Sequence, residues 1–196
     1  MGKAEQTRQR IVAAATTEFA AHGLAGARVD RIAATARSNK AQLYHHVGNK
    51  DALFDAAVST HVAATVDRVP LTVDDLPGYA VRLYDAYLAD ATLVRLLTWC
   101  RLERRPTGDL FTTPHHDGPA LARLHEAQVA GLLVTDVDVE DLWSMLISLS
   151  GTWAQASLTV VAAADEPDAV HRRRREALSA TVERAFVHRP AEGASP

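Results

Sequence analysis

Apolar residues recur along this chain at three- and four-residue intervals, and no stretch combines strand alternation with hairpin turn chemistry. Ile11, Ala15 and Phe19, with Val12 beside them, stack on one face of a helix predicted over 5–22, and Gly23 is its natural C-cap. Val29, Ile32, Ala33 and Ala36 form the inner side of a short helix over 29–36. Leu43 and Val47 do the same for a helix over 40–47, with Asn39 as its N-cap. Gly48-Asn49 breaks that helix, and Leu53, Phe54, Ala57, Val58 and His61 line the inner face of the next, 50–68.

Pro70 and "DDLPG" at 74–78 mark a boundary. Helices are predicted beyond it at 76–90, 92–104, 120–130, 138–164 and 167–187, the last with Pro167 in its first turn. The stretch 105–119, rich in Pro and Gly, reads as a loop. The fold class expected is therefore all-α, with about nine helices.

Two short helices joined by a three-residue turn have helix-turn-helix geometry. The second, 40–47, has few apolar positions and presents Lys40, Gln42, Tyr44, His45 and His46 outward. Its size and polarity suit the major groove of double-stranded DNA, where glutamine pairs with adenine edges and lysine with guanine or phosphate. Lys50 opens the following helix, where an ammonium and free backbone N–H groups can hold a phosphate. Arg28 and Arg37, near helix ends, are candidate phosphate contacts, and Ser38 and Asn39 complete the DNA-facing set.

Charge sharpens this picture. Residues 1–61 carry eight lysines and arginines against five acidic residues, +3, and the remainder thirteen against nineteen, −6, which returns the whole-chain −3. A basic N-terminal piece on an acidic body points to a polyanion partner for that piece. At 47% hydrophobic and 23% charged, the chain is expected to fold as a globular protein with a substantial core. One cysteine, Cys100, rules out an intrachain disulfide and fits a reducing compartment. With no signal-peptide pattern and no apolar run of membrane-spanning length, a cytoplasmic location and no membrane partner are expected.

Taken together, "RIVAAATTEFAAHG", "VDRIAATA" and "NKAQLYHHVGNKDALF", at their spacing, resemble the DNA-binding domain of TetR-family transcriptional regulators from Thr7 to Val58. The family pattern runs Ile-Ala-x-x-Ala-Gly-Val-Ser, then Lys-Gly-x-Leu-Tyr-x-Tyr-Phe. This chain departs from it at Arg37 (usually glycine), Ser38 (apolar), His46 (aromatic) and Val47 (phenylalanine), and has Ala27 where a capping threonine is common. Arg37 at a left-handed position costs about 1–2 kcal/mol relative to glycine, so a turn of different shape is expected.

The resemblance implies a DNA-binding helix-turn-helix domain over 1–61 and a helical effector-binding and dimerisation domain over 62–196. It also implies a homodimer that binds a palindromic operator as a repressor and is released by a small-molecule effector. Tyr84, Tyr87, Trp99, Phe111, His115, Trp143 and Trp153 are candidates for an effector pocket suited to an apolar or aromatic ligand. Plain core packing is the competing reading for most of them. Ala154, in the small-residue stretch "SLSGTWAQAS", and Leu178, Val182 and Phe186, on the last helix, are candidates for the dimer interface. The run "HRRRRE" at 171–176 wraps around its helix, so at least one arginine must approach the inner face.

An enzyme carrying a vestigial DNA-binding head, or a protein-binding scaffold, would be alternatives. Against catalysis stands the lack of a P-loop, of Gly-x-Ser-x-Gly, of a complete metal set and of a paired nucleophile and base. "HEAQV" at 125–129 begins like a zinc-protease helix but has Val129 where the second histidine is required. No catalytic residue, metal or cofactor is expected.

Overall fold

Helical periodicity resolves into nine α-helices in the computed structural model, which describes residues 2–104, 117–154 and 157–188. They are α1 (Lys3–Gly26), α2 (Val29–Thr35), α3 (Lys40–Val47), α4 (Lys50–Arg68), α5 (Leu76–Ala89), α6 (Thr92–Arg104), α7 (Gly118–Val129), α8 (Val139–Ser150) and α9 (Asp168–Phe186). A 3₁₀ turn at Val73–Asp75 precedes α5, and Leu133 and Val187 form an isolated bridge. The all-α expectation holds.

Among the described residues the chain forms two compact units, one gathering α1–α4 and α6, the other α5 and α7–α9. The first unit thus extends past residue 61 to Arg68 and takes in α6. Its core contains Ile11, Ala15, Phe19, Ile32, Leu43, Leu53, Phe54 and, from α6, Leu96 and Cys100. Phe19 and Phe54 meet edge to face at 5.1 Å. Burial pushes the Cys100 thiol up, as expected of a small core hydrophobe.

Gly23 interrupts α1 with φ 69, where the sequence placed a C-cap. A Cβ there would lie 2.7 Å from the Trp99 ring, so glycine serves both the left-handed backbone and the close approach of α6. α6 grips this end of α1: Arg95 Nε donates to the Ala20 carbonyl at 2.8 Å, and Trp99 Nε1 donates to the same oxygen at 3.3 Å. Glu103 accepts from the Leu24 and Ala25 N–H groups that the break leaves without helical partners.

The second unit packs Leu76, Tyr79, Leu83, Tyr84, Leu124, Leu142, Leu146, Leu178, Val182 and Phe186 together. Asp75 begins α5 by accepting from the Gly78 N–H, and Arg82 bonds the same carboxylate, holding it below the usual carboxylate range.

One element differs from the sequence reading. The helix expected over 138–164 ends at Ser150, with Gly151 as C-cap. The chain then turns back on itself: the Ala162 N–H donates to the Trp153 carbonyl at 2.8 Å, and Glu166 accepts from the Ala163 N–H. Arg174 of α9 makes two hydrogen bonds to the Glu166 carboxylate, which ties the returning segment to α9. The pairs Ala162–Trp153 and Glu166–Arg174 lie eight or more residues apart, so local helix propensity could not reveal them.

Arg174 is also the arginine of "HRRRRE" that turns inward, at 5% exposure, while Arg172 and Arg173 remain exposed. Its partnership with Glu166 draws that carboxyl down to about 2. His171, beside it, is buried and bonded through Nδ1 to the Tyr84 hydroxyl at 2.7 Å. The run is therefore half core and half surface.

Candidate nucleic-acid interface

α2 and α3 are joined through Ala36–Asn39. Arg37 takes φ 50, so the turn keeps its left-handed residue rather than changing shape to avoid it. The Ser38 N–H donates to the Ala33 carbonyl at 2.9 Å and closes the end of α2. Asn39 caps α3 as its residue type predicts: Oδ1 accepts from the Gln42 N–H at 2.8 Å.

α3 is anchored by one fully buried side chain, Leu43, flanked by partly buried Tyr44 and Val47. With that side held down, Lys40, Ala41, Gln42 and His45 are exposed, and His46 is half-buried with its ring edge-on to His45. The Ser38 hydroxyl donates to Gln42 Oε1 at 3.1 Å. That contact restrains the glutamine while leaving its NH₂ and a second lone pair for a partner. Lys40 lies 3.8 Å from Asp30, an exposed pair of little energetic weight. Arg28 and Arg37 are exposed at the ends of α2. Lys50, at the start of α4, is half-buried and donates to the Ala25 carbonyl at 3.2 Å.

Two supports escaped sequence reading. Arg28 precedes α2 with no side-chain cap. Glu18 of α1 takes over, accepting from the Arg28 N–H at 2.8 Å and from Arg31 Nε at 2.9 Å. Burial pushes the Glu18 carboxyl up, but the bonds from Arg31 and the Arg28 N–H outweigh it and hold it below the usual range. Asn49 caps α4 through the Ala52 N–H at 2.8 Å. Asn49 was legible as a residue type, whereas Glu18 caps a helix ten residues away.

Over residues 11–57 the chain matches the family profile described as bacterial regulatory proteins, tetR family, and over 75–184 that described as tetracyclin repressor-like, C-terminal domain. It is 37% identical over 156 residues to the HTH-type transcriptional repressor SCO4008 of Streptomyces coelicolor, across 76% of this chain and 79% of that one. The chain belongs to the TetR family. The HTH-type transcriptional repressor NicS of Pseudomonas putida is 27% identical across 75% of each chain. Among solved structures, the transcriptional regulator SCO4942 of Streptomyces coelicolor superposes with a TM-score of 0.72 at 38% identity, over 93% of this chain and 99% of that one. GusR of Salmonella enterica has the same TM-score at 22% identity, over 93% and 96%, a likeness of fold.

This TetR-family protein is accordingly a DNA-binding transcriptional regulator, and α2 and α3 are its helix-turn-helix. Among its described residues, no helix is long and apolar enough to cross a membrane.

The remaining candidates divide between the units. Trp99 belongs to the first, with its indole N–H on α1. Tyr84, Tyr87, Trp143 and Trp153 belong to the second unit. There Tyr84 is 2% exposed and meets the Trp153 ring edge-on at 5.8 Å, while Trp143 stacks on Tyr79 at 6.3 Å. Burial pushes the half-buried Tyr87 hydroxyl up to about 12. Phe111 and His115 lie outside the described residues, as does most of the loop predicted at 105–119. Leu178, Val182 and Phe186 point into the core of their own chain, at 3%, 0% and 2% exposure, and Ala154 is half-buried beyond the end of α8.

Proposed function

We propose that this protein is a cytoplasmic, homodimeric repressor that reads a palindromic operator with α3 and leaves it when a small effector binds the helical region beyond residue 61. The observation that carries the DNA half is the outer face of α3: Lys40, Gln42 and His45 exposed over a single buried anchor, with Ser38 bonded to Gln42. Gln42 reads a base edge in the major groove. Arg28, Arg37, Ser38, Asn39, Lys40, Tyr44 and Lys50 position the helix on phosphates, and His45 lies alongside Gln42.

The repressor relatives support repression as the sign of regulation. The effector reading rests on the aromatic second unit, where Tyr84, Trp153, Tyr87 and Trp143 suit an apolar or aromatic ligand. Binding there would shift the population of states away from the one that fits the operator. Leu178, Val182 and Phe186 serve their own core, so the two-fold contact falls to the opposite sides of α8 and α9, where Met145, Ser148 and Ala177 are exposed.

Operator binding across a salt series tests the DNA half. Lys50→Ala should weaken all sequences alike and reduce the log–log salt slope by about 0.9. Gln42→Ala should cost about 1–3 kcal/mol at one base position per half-site and relax specificity there. A Gln42→Ala protein with an unchanged operator-variant profile removes this residue from base reading.

A further inference from the structure

The first unit carries a half-open cleft of about 640 Å³, a volume within the range of small-molecule sites. It is bounded by α1, α4 and α6 alone, and none of the second unit's aromatics lines it. Small side chains, Ala13 on α1 and Ala64 on α4 among them, leave the space between the helices. Two arginines and two hydrogen-bonding side chains form its polar wall: Arg8 and Gln9 from α1, His61 from α4 and Arg95 from α6.

Two of those groups are held in place. Arg95 is fixed through Nε to the Ala20 carbonyl, and His61 Nε2 lies 3.4 Å from the Asp90 carboxylate behind it. Arg8 is exposed at one side of the cavity. Cationic and amide donors around an apolar floor suit a carboxylate carried on a compact hydrocarbon body. The floor adds affinity that a bare inorganic anion cannot gain.

We propose that this cavity is a binding site for a small organic monocarboxylate, distinct from the effector region of the second unit. The site lies in the unit that contains the helix-turn-helix, and it is assembled from helices that meet only in the folded chain.

The test is calorimetric titration of the full-length protein with 1-naphthoate, with neutral 1-naphthamide as its uncharged twin. Saturable binding of one naphthoate per chain is expected, with the amide at least about tenfold weaker. Arg8→Gln should weaken naphthoate by about tenfold and leave the amide unchanged. Ala64→Trp, at an exposed position, should fill the space and remove binding of both while circular dichroism remains that of the parent. Backbone NMR shifts should concentrate in α1, α4 and α6, and inorganic phosphate should fail to displace naphthoate. Equal binding of acid and amide, indifference to Ala64→Trp, shifts confined to α5 and α7–α9, or no saturable binding at millimolar naphthoate would each overturn the proposal.

Discussion

Single residues set the recognition surface of this regulator, and some of them act from outside it. Glu18 is the clearest case: it lies on α1, yet it accepts from the N–H of Arg28, the residue that leads into α2, and binds Arg31 as well. At 11% side-chain exposure it is screened little by water. Glu18→Ala should cost about 1–2 kcal/mol at neutral pH, measured by urea unfolding. The sign of its pH dependence follows from the lowered carboxyl. Its contribution is complete above the unfolded value of 4.5 and is lost as pH falls through the lower folded value. Parent and variant should therefore converge in stability as pH falls below the unfolded value; a gap that stays constant with pH would assign the loss to packing rather than to the ionised cap. Arg37 works in the other direction, holding a left-handed turn position at a local cost of about 1–2 kcal/mol.

At the scale of elements, the break in α1 matters most to the first unit. Gly23 allows α6 to come close enough for Arg95 and Trp99 to share the Ala20 carbonyl and for Glu103 to cap the released N–H groups. Gly23→Ala should destabilise the unit by about 2–4 kcal/mol, combining left-handed strain with displacement of Trp99. Thermal melting would register this, together with a changed Trp99 fluorescence. A variant as stable as the parent would mean that α6 yields easily. Arg104 ties α6 to α4 in turn, paired with Asp55 and lying over the Phe54 ring at 4.9 Å.

For the whole molecule, assembly is the open prediction. Phe186 is 2% exposed in its own core, whereas Ala177 faces outward on the same helix. Ala177→Glu should leave each chain folded and convert dimer to monomer in light scattering, because a carboxylate buried in a close interface costs several kcal/mol, on the order of 3–5, when unpaired. Phe186→Glu should unfold the second unit instead. Should Ala177→Glu remain dimeric at low micromolar concentration, the interface lies on another face.

The sequence by itself determined the helices, their order, the Gly23 stop, the Asn39 cap and the outward polarity of α3, because these depend on periodicity and on residues within a few positions of one another. It also carried the family, through spaced motifs between Thr7 and Val58. Only the tertiary structure decided what depended on distant partners. It ended α8 at Ser150, where the sequence read on to 164, through the pairing of Arg174 with Glu166 and of Ala162 with Trp153. It turned Leu178, Val182 and Phe186 into their own core, packed Trp99 of α6 against α1, and supplied the start of α2 with a partner from Glu18. An apolar face on a helix shows that it will be covered, but which surface covers it depends on contacts that periodicity does not encode.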